Sequence, residues 1–227
     1  MKKQTLSWLS VWLSVVAVVG ISLAAPGGAA APQRSDGLVP MDSTSLDEAY
    51  LRPDTTVQGY QKVMIDPGTV ELRKGWLKSI NATRGPSRWL VPEDAQNITD
   101  NAATSLSTVI AATFKSKGYE VVTTPGAGVL RVTPRVTDLN VNAPSATSAN
   151  MQALYNVDAG EATLTMDVRD AATGTLLGHI VDRGTAHELS TRINRSIQGT
   201  NAFWFDALFT RWTDKCIASL ESAKLSP

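Results

Sequence analysis

Very few side chains in this chain are suited to chemistry. It holds two histidines, His179 and His187, and one cysteine, Cys216. A metal centre needs several His, Cys, Asp or Glu groups converging on one point, so neither a metal nor another cofactor is expected. His187 with Asp66, or with its neighbour Glu188, is the combination that would make a hydrolase base, the carboxylate orienting the imidazole. No Gly-x-Ser-x-Gly elbow accompanies it. Asp66 precedes Pro67 at a strand end, where aspartate shapes turns through bonds to the backbone. His179 lies in a strand pattern in phase with Leu177 and Val181 and reads as structural. Cys216 has no second cysteine to pair with and sits deep in a helical pattern, so it reads as a small core residue. Gly126 and Gly128 form a Gly-x-Gly between two strands, with no helix to receive a phosphate.

Residues suited to holding a partner are easier to find. Trp76 and Trp89 bracket a stretch with Gly75, Gly85 and Pro86 that reads as an irregular excursion. Gly184 to Thr200 reads as a long polar connection carrying Arg192, Asn194 and Arg195, and long loops inside compact domains are usually functional. Two arginines there could meet an anionic partner. Arg192, Asn194, Arg195, Trp76 and Trp89 are therefore the candidate partner-binding residues.

These residues must be positioned by the elements around them. From Glu161 to Arg183, two alternating apolar segments flank a turn of Asp170 to Gly174. Ala162, Leu164, Met166 and Val168 share one face, and Thr163, Thr165, Asp167 and Arg169 the other, the period of two of a half-buried strand. This is a β-hairpin, and Gly174 supplies the positive φ its loop needs. Tyr60 to Asp66 predicts a strand, broken by Pro67 and Gly68 and resumed over Thr69 to Leu72. Pro92, Glu93 and Asp94 open a helix to about Lys117, with Ile98, Ala102, Leu106, Val109, Ile110 and Phe114 along its apolar side. Tyr119 to Thr123 and Val129 to Leu139 predict strands, the second at an edge or bulge because Pro134 has no N–H to donate. A last helix over Ala202 to Leu220 aligns Phe205, Leu208, Phe209, Trp212, Cys216 and Leu220.

The N-terminus reads as an export leader: Lys2 and Lys3, an apolar run from Leu6 to Ala25, then small residues at Gly28 to Ala31. Retention as a membrane anchor is the alternative, and membrane contact is expected only in that case. The chain of 227 residues then divides into a signal peptide over 1–30, an extended arm over 31–59 and one domain over 60–227. Its formal charge is zero, and losing the leader removes two lysines and no acid, leaving a net −2. That balance argues against nucleic acid, which selects basic surfaces.

Gly37-Leu38, Tyr50, Arg52-Pro53-Asp54, Tyr60 and Lys62 to Pro67 with Val70 form an ordered set of features. It continues through Pro92-Glu93-Asp94, Gly118-Tyr119, Pro125 to Arg131, and Asp170-x-x-Thr-Gly before Leu177. In these the sequence resembles a family of uncharacterised bacterial envelope lipoproteins, domain of unknown function 3313. The resemblance implies a compact α/β domain in a Gram-negative envelope and brings no reaction or cofactor. Members commonly carry a lipid-accepting cysteine after the leader. None stands between Met1 and Gly118 here, so no lipid anchor is expected.

The fold expected is α+β: a two-layer sandwich with a mainly antiparallel sheet of about five strands and two long helices on one face. The function expected is a non-catalytic binding or accessory role, periplasmic or secreted, with an envelope protein as partner. The alternatives are the His187 hydrolase and a carrier of a small apolar ligand.

Overall fold

The computed structural model describes residues 36–41, 45–53, 59–141, 158–187 and 201–222, all within the unit Ala31–Pro227. The strands are β1 (Val39–Pro40), β2 (Glu48–Leu51), β3 (Lys62–Ile65), β4 (Thr69–Leu72), β5 (Glu120–Val121), β6 (Val129–Val141), β7 (Asp158–Asp170) and β8 (Leu176–His187). The helices are α1 (Trp76–Ala82), α2 (Pro92–Ser116) and α3 (Asn201–Ser222), with a 3-10 turn at Pro86–Arg88.

The described strands form one eight-stranded sheet in the order β1-β2-β8-β7-β6-β3-β5, with β4 also pairing β6. It is larger and more mixed than the five-stranded, mainly antiparallel sheet expected. Two causes account for this. The segment read as an extended arm supplies β1 and β2, which add antiparallel to the edge of β8. In addition, β3 and β4 run parallel to β6, and β5 runs parallel to β3. Helix α2, about 37 Å long at the usual rise, carries the chain back along the sheet so that the next strands start from the same end.

The hairpin is as the alternation predicts. β7 and β8 pair antiparallel through Met166 opposite Ile180, and Gly174 takes φ 74° in the connecting turn. Asp170 Oδ1 accepts from the Ala172 and Thr173 amides at 3.0 and 2.7 Å and closes that turn.

Pro134 is not at an edge. It lies in β6, opposite Met166 of β7. On its other side Ile65 pairs with Val132 and Thr69 with Arg135. Val132 turns its backbone polar groups toward β3, accepting from the Asp66 amide at 2.9 Å. Pro134, two residues on, turns the same way, so its missing N–H faces the break between β3 and β4 at Pro67 and Gly68. An interior strand tolerates the proline because its neighbour is interrupted there.

The core lies between the helices and one side of the sheet. Val63, Leu130, Val132, Val136, Leu164, Met166, Val168 and Ile180 are buried on that side, beneath Leu106, Ile110 and Phe114 of α2. From α3 come Phe205, Leu208, Phe209, Trp212, Cys216 and Leu220, the stripe read from the sequence. Each large apolar side chain contributes about 1.5–3 kcal/mol on burial. Helix α3 lies close over β8 because Gly184 leaves room: a Cβ there would sit 2.6 Å from Leu208 Cδ1 and 3.2 Å from the Trp212 ring.

The stretch between Trp76 and Trp89 is not irregular. It folds into α1 and the 3-10 turn, and Asn81 clamps it. Asn81 Nδ2 donates to the Leu90 carbonyl, and the Leu90 amide donates to Asn81 Oδ1, both at 2.8 Å.

Candidate functional site

Helices α2 and α3 cover one side of the sheet, and strand alternation turns the remaining residues of β6, β7 and β8 to the other. On that open face the register sets Arg131 beside Arg169, Thr133 beside Asp167, Arg135 beside Thr165, Asp167 beside His179 and Thr163 beside Arg183. Cross-strand neighbours stand about 5 Å apart, close enough for charged groups to pair.

Three carboxylates organise this face. Asp66, at the end of β3, accepts from Arg131 Nε at 3.0 and 2.9 Å and from Thr133 Oγ1 at 2.6 Å. Asp167 Oδ1 lies 2.6 Å from His179 Nδ1, and its Oδ2 accepts from Arg169 Nη2 at 3.1 Å. The hydrogen bond with His179 is the main cause holding the Asp167 carboxyl below the usual carboxylate range, against the opposing effect of its burial. Tyr50 of β2 lies beside that imidazole, ring centres 6.3 Å apart. Glu161 stands between two guanidiniums, Arg73 Nη2 at 2.7 Å and Arg183 Nη2 at 2.8 Å. Hydrogen bonds from Arg73 and then Arg183 hold its carboxyl below the usual range. The Arg183 amide also donates to Asp47 Oδ2 at 2.8 Å.

At the hairpin end, Tyr60 donates its hydroxyl to Asp170 Oδ2 at 2.7 Å. Burial, then that hydrogen bond, pushes the Tyr60 phenol up to about 12, while the same bond is the leading cause lowering Asp170.

The backbone sets His187 and Asp66, the pair expected of a hydrolase, far apart along the sheet. Asp66 is bonded at Val132, which faces Val168 and through it Gly178. Gly178 is near the start of β8 and His187 at its end, a separation of about 30 Å at the rise of an extended chain. Glu188 lies outside the described residues.

Of the partner-binding candidates, Arg192, Asn194 and Arg195 also lie outside the described residues, and Gly184 to His187 belongs to β8 rather than to a loop. Trp76 is not a surface residue: it is 3% exposed and donates Nε1 to the Val141 carbonyl at 3.0 Å. The first residue of α1 is thus an anchor to the end of β6. Trp89 is 57% exposed, with Nε1 donating to the Arg84 carbonyl at 3.2 Å. Among the described residues no three His, Cys, Asp or Glu side chains meet as a metal set would.

Sequence reasoning marked Thr163, Thr165, Asp167 and Arg169 as outward-facing but missed the clusters. The outward alternation was the available signal; which charge meets which depends on strand register. Arg73 gave no signal, because it reaches Glu161 only once β4 has docked on β6.

Fold and surface together define an α/β domain whose mixed sheet carries α2 and α3 on one side and an ion-paired polar face on the other. The chain belongs to the family described as protein of unknown function (DUF3313), whose model matches residues 32–215. No curated protein matches the chain. Similar solved structures include two PelC dodecamers from Paraburkholderia phytofirmans, the first of them a point variant. One is 10% identical, covering 76% of this chain and 95% of that one, with TM-score 0.37. The other is 7% identical, covering 74% and 96%, also with TM-score 0.37. A neuraminyllactose-binding hemagglutinin homolog from Helicobacter pylori is 12% identical over 76% of this chain and 86% of that one, with TM-score 0.32. At these identities and scores the likeness carries no argument about function.

Proposed function

We propose that this is an exported cell-envelope protein that acts without catalysis, docking another envelope protein through the open face of its sheet. The observation that carries this reading is the locking of the charges on that face. Glu161 is held between Arg73 and Arg183, Asp167 between His179 and Arg169, and Asp66 between Arg131 and Thr133. Side chains already fixed in one geometry lose little conformational freedom on association, which favours recognition of a complementary surface. The same pairing engages Asp66 far from His187, which weighs against the hydrolase alternative. The carrier alternative needs a cavity in the interval that Trp212, Phe114, Phe209 and Met166 fill. Export is supported by Lys2, Lys3 and the apolar run to Ala25.

The test is a photo-crosslinking residue at Thr133 or Thr165 of the open face, activated in cells and followed by mass spectrometry. One recurrent protein adduct, lost when Arg183→Glu disrupts the Glu161 cluster, is the expected result. Absence of any adduct from both positions overturns the reading. The N-terminal peptide in the same experiment locates the mature start.

A further inference from the structure

The chain balances 21 basic against 21 acidic side chains, but one segment departs from that balance. From Arg73 to Val91 it carries Arg73, Lys74, Lys78, Arg84 and Arg88 and no acid. In the structure this segment is a single projection, α1 with the 3-10 turn clamped to it by Asn81, anchored to the sheet through Trp76 and through Arg73 on Glu161. Lys74, Lys78 and Arg88 are exposed and have no acidic partner among the described residues. Trp89 and Val91, two of the three exposed large hydrophobics among the described residues, stand on the same projection at 57% and 49%.

We infer that this projection docks the folded domain onto a lipid bilayer bearing anionic headgroups. Three features favour a bilayer over an acidic protein. Lys74, Lys78 and Arg88, exposed and without an acidic partner among the described residues, suit a diffuse layer of negative charge rather than one fixed carboxylate. The exposed indole has its N–H already satisfied by the Arg84 carbonyl, so its ring can enter the headgroup region without stranding a polar group, as interfacial tryptophans do. Val91 adds apolar area two residues away. Contact of this kind lies on the surface, and no helix among the described residues is long and apolar enough to cross a membrane. It differs from the expectation that only a retained leader would touch a membrane.

The test compares whole chains, so that any contribution of the leader is common to all. Vesicles of phosphatidylcholine alone and with phosphatidylglycerol are titrated with the wild type, with Lys74→Ser/Lys78→Ser/Arg88→Ser, and with a control of equal charge change, Lys62→Ser/Lys115→Ser/Lys117→Ser. Each basic side chain near an anionic surface contributes about fivefold in affinity, so the first triple variant loses on the order of a hundredfold and the control only a few-fold. Binding weakens as salt is added. Ser87→Cys labelled with a polarity-sensitive dye shifts to the blue on anionic vesicles; Cys216, buried, stays unlabelled. Equal losses in both triple variants, no preference for phosphatidylglycerol, or a crosslink from position 87 to an acidic protein without vesicle binding would overturn the inference. None of the open-face residues named above is altered, so vesicle binding and protein capture succeed or fail separately.

Discussion

Asp182 and Lys215 join the sheet to the last helix: Nζ of Lys215 lies 2.7 Å from Oδ2 of Asp182, whose side chain is only 4% exposed on the helix side of β8. The other carboxylate oxygen accepts from the Asp47 amide at 3.2 Å. One carboxylate in the apolar layer therefore ties β8, α3 and the turn before β2 together. Removing one partner of a buried pair leaves an uncompensated charge, which costs more than the intact pair contributes. Lys215→Met is expected to lower stability by about 2–4 kcal/mol, less than a fully buried partner would because Lys215 is partly in water. Lys215→Met with Asp182→Leu is expected to recover most of that loss. Urea unfolding of the two variants measures both.

Gly160, opposite Val141 of β6, marks where β7 and β8 slip register. It holds φ 143°, and a Cβ there would lie 1.9 Å from the Asn140 carbonyl oxygen. No side-chain rotation relieves a clash with backbone, so Gly160→Ala is expected to cost more than about 3 kcal/mol. Gly85, with φ −69° and open space around its Cβ position, supplies the contrast. Gly85→Ala is expected to stay within about 0.5 kcal/mol of wild type or to stabilise slightly. Thermal and urea unfolding distinguish the two.

Glu161 supplies a clean acid-stability test because its partners, Arg73 and Arg183, do not titrate. Its carboxyl is more acidic folded than unfolded. The stabilisation is therefore whole above the ordinary carboxylate range near pH 4 and is lost as pH falls through the depressed folded value. The difference in unfolding free energy between wild type and Glu161→Gln is expected to be flat at neutral pH and to shrink steadily below about pH 4. A difference that grows on acidification would refute this.

Cys216 is fully buried, and burial, with a further push from the nearby Asp182, raises its thiol to about 12. At neutral pH the thiolate population in the folded chain is negligible, so a disulfide reagent should react only through opening of α3. Reaction is expected to be slow in buffer and complete within mixing time in denaturing urea. Rapid native reactivity would show that α3 does not stay docked.

What could be read without coordinates was whatever depends on local periodicity. Alternation at Ala162, Leu164, Met166 and Val168 located the hairpin, and spacings of three and four placed α2 and the buried stripe of α3 within a few residues. Those patterns are set by which face a residue must bury, and the sequence states them directly. Pairing is different, since it is decided by register and by the crossover through α2. Nothing in Pro134 says that its neighbour is interrupted opposite it, and nothing in Tyr50 or Leu51 says that they extend the sheet beyond β8.

The candidate surfaces follow the same division. By itself the sequence determined that chemistry-bearing groups are few, that Thr163, Thr165, Asp167 and Arg169 face away from the core, and that the chain is electrically balanced. Tertiary structure alone decided that Asp66 meets Arg131 and not His187, that Glu161 sits between Arg73 and Arg183, and that Trp76 is buried while Trp89 is exposed. The physical reason is range: burial patterns repeat within a few residues, whereas the partner of a charge is whatever distant segment the packed sheet brings within a few ångströms of it.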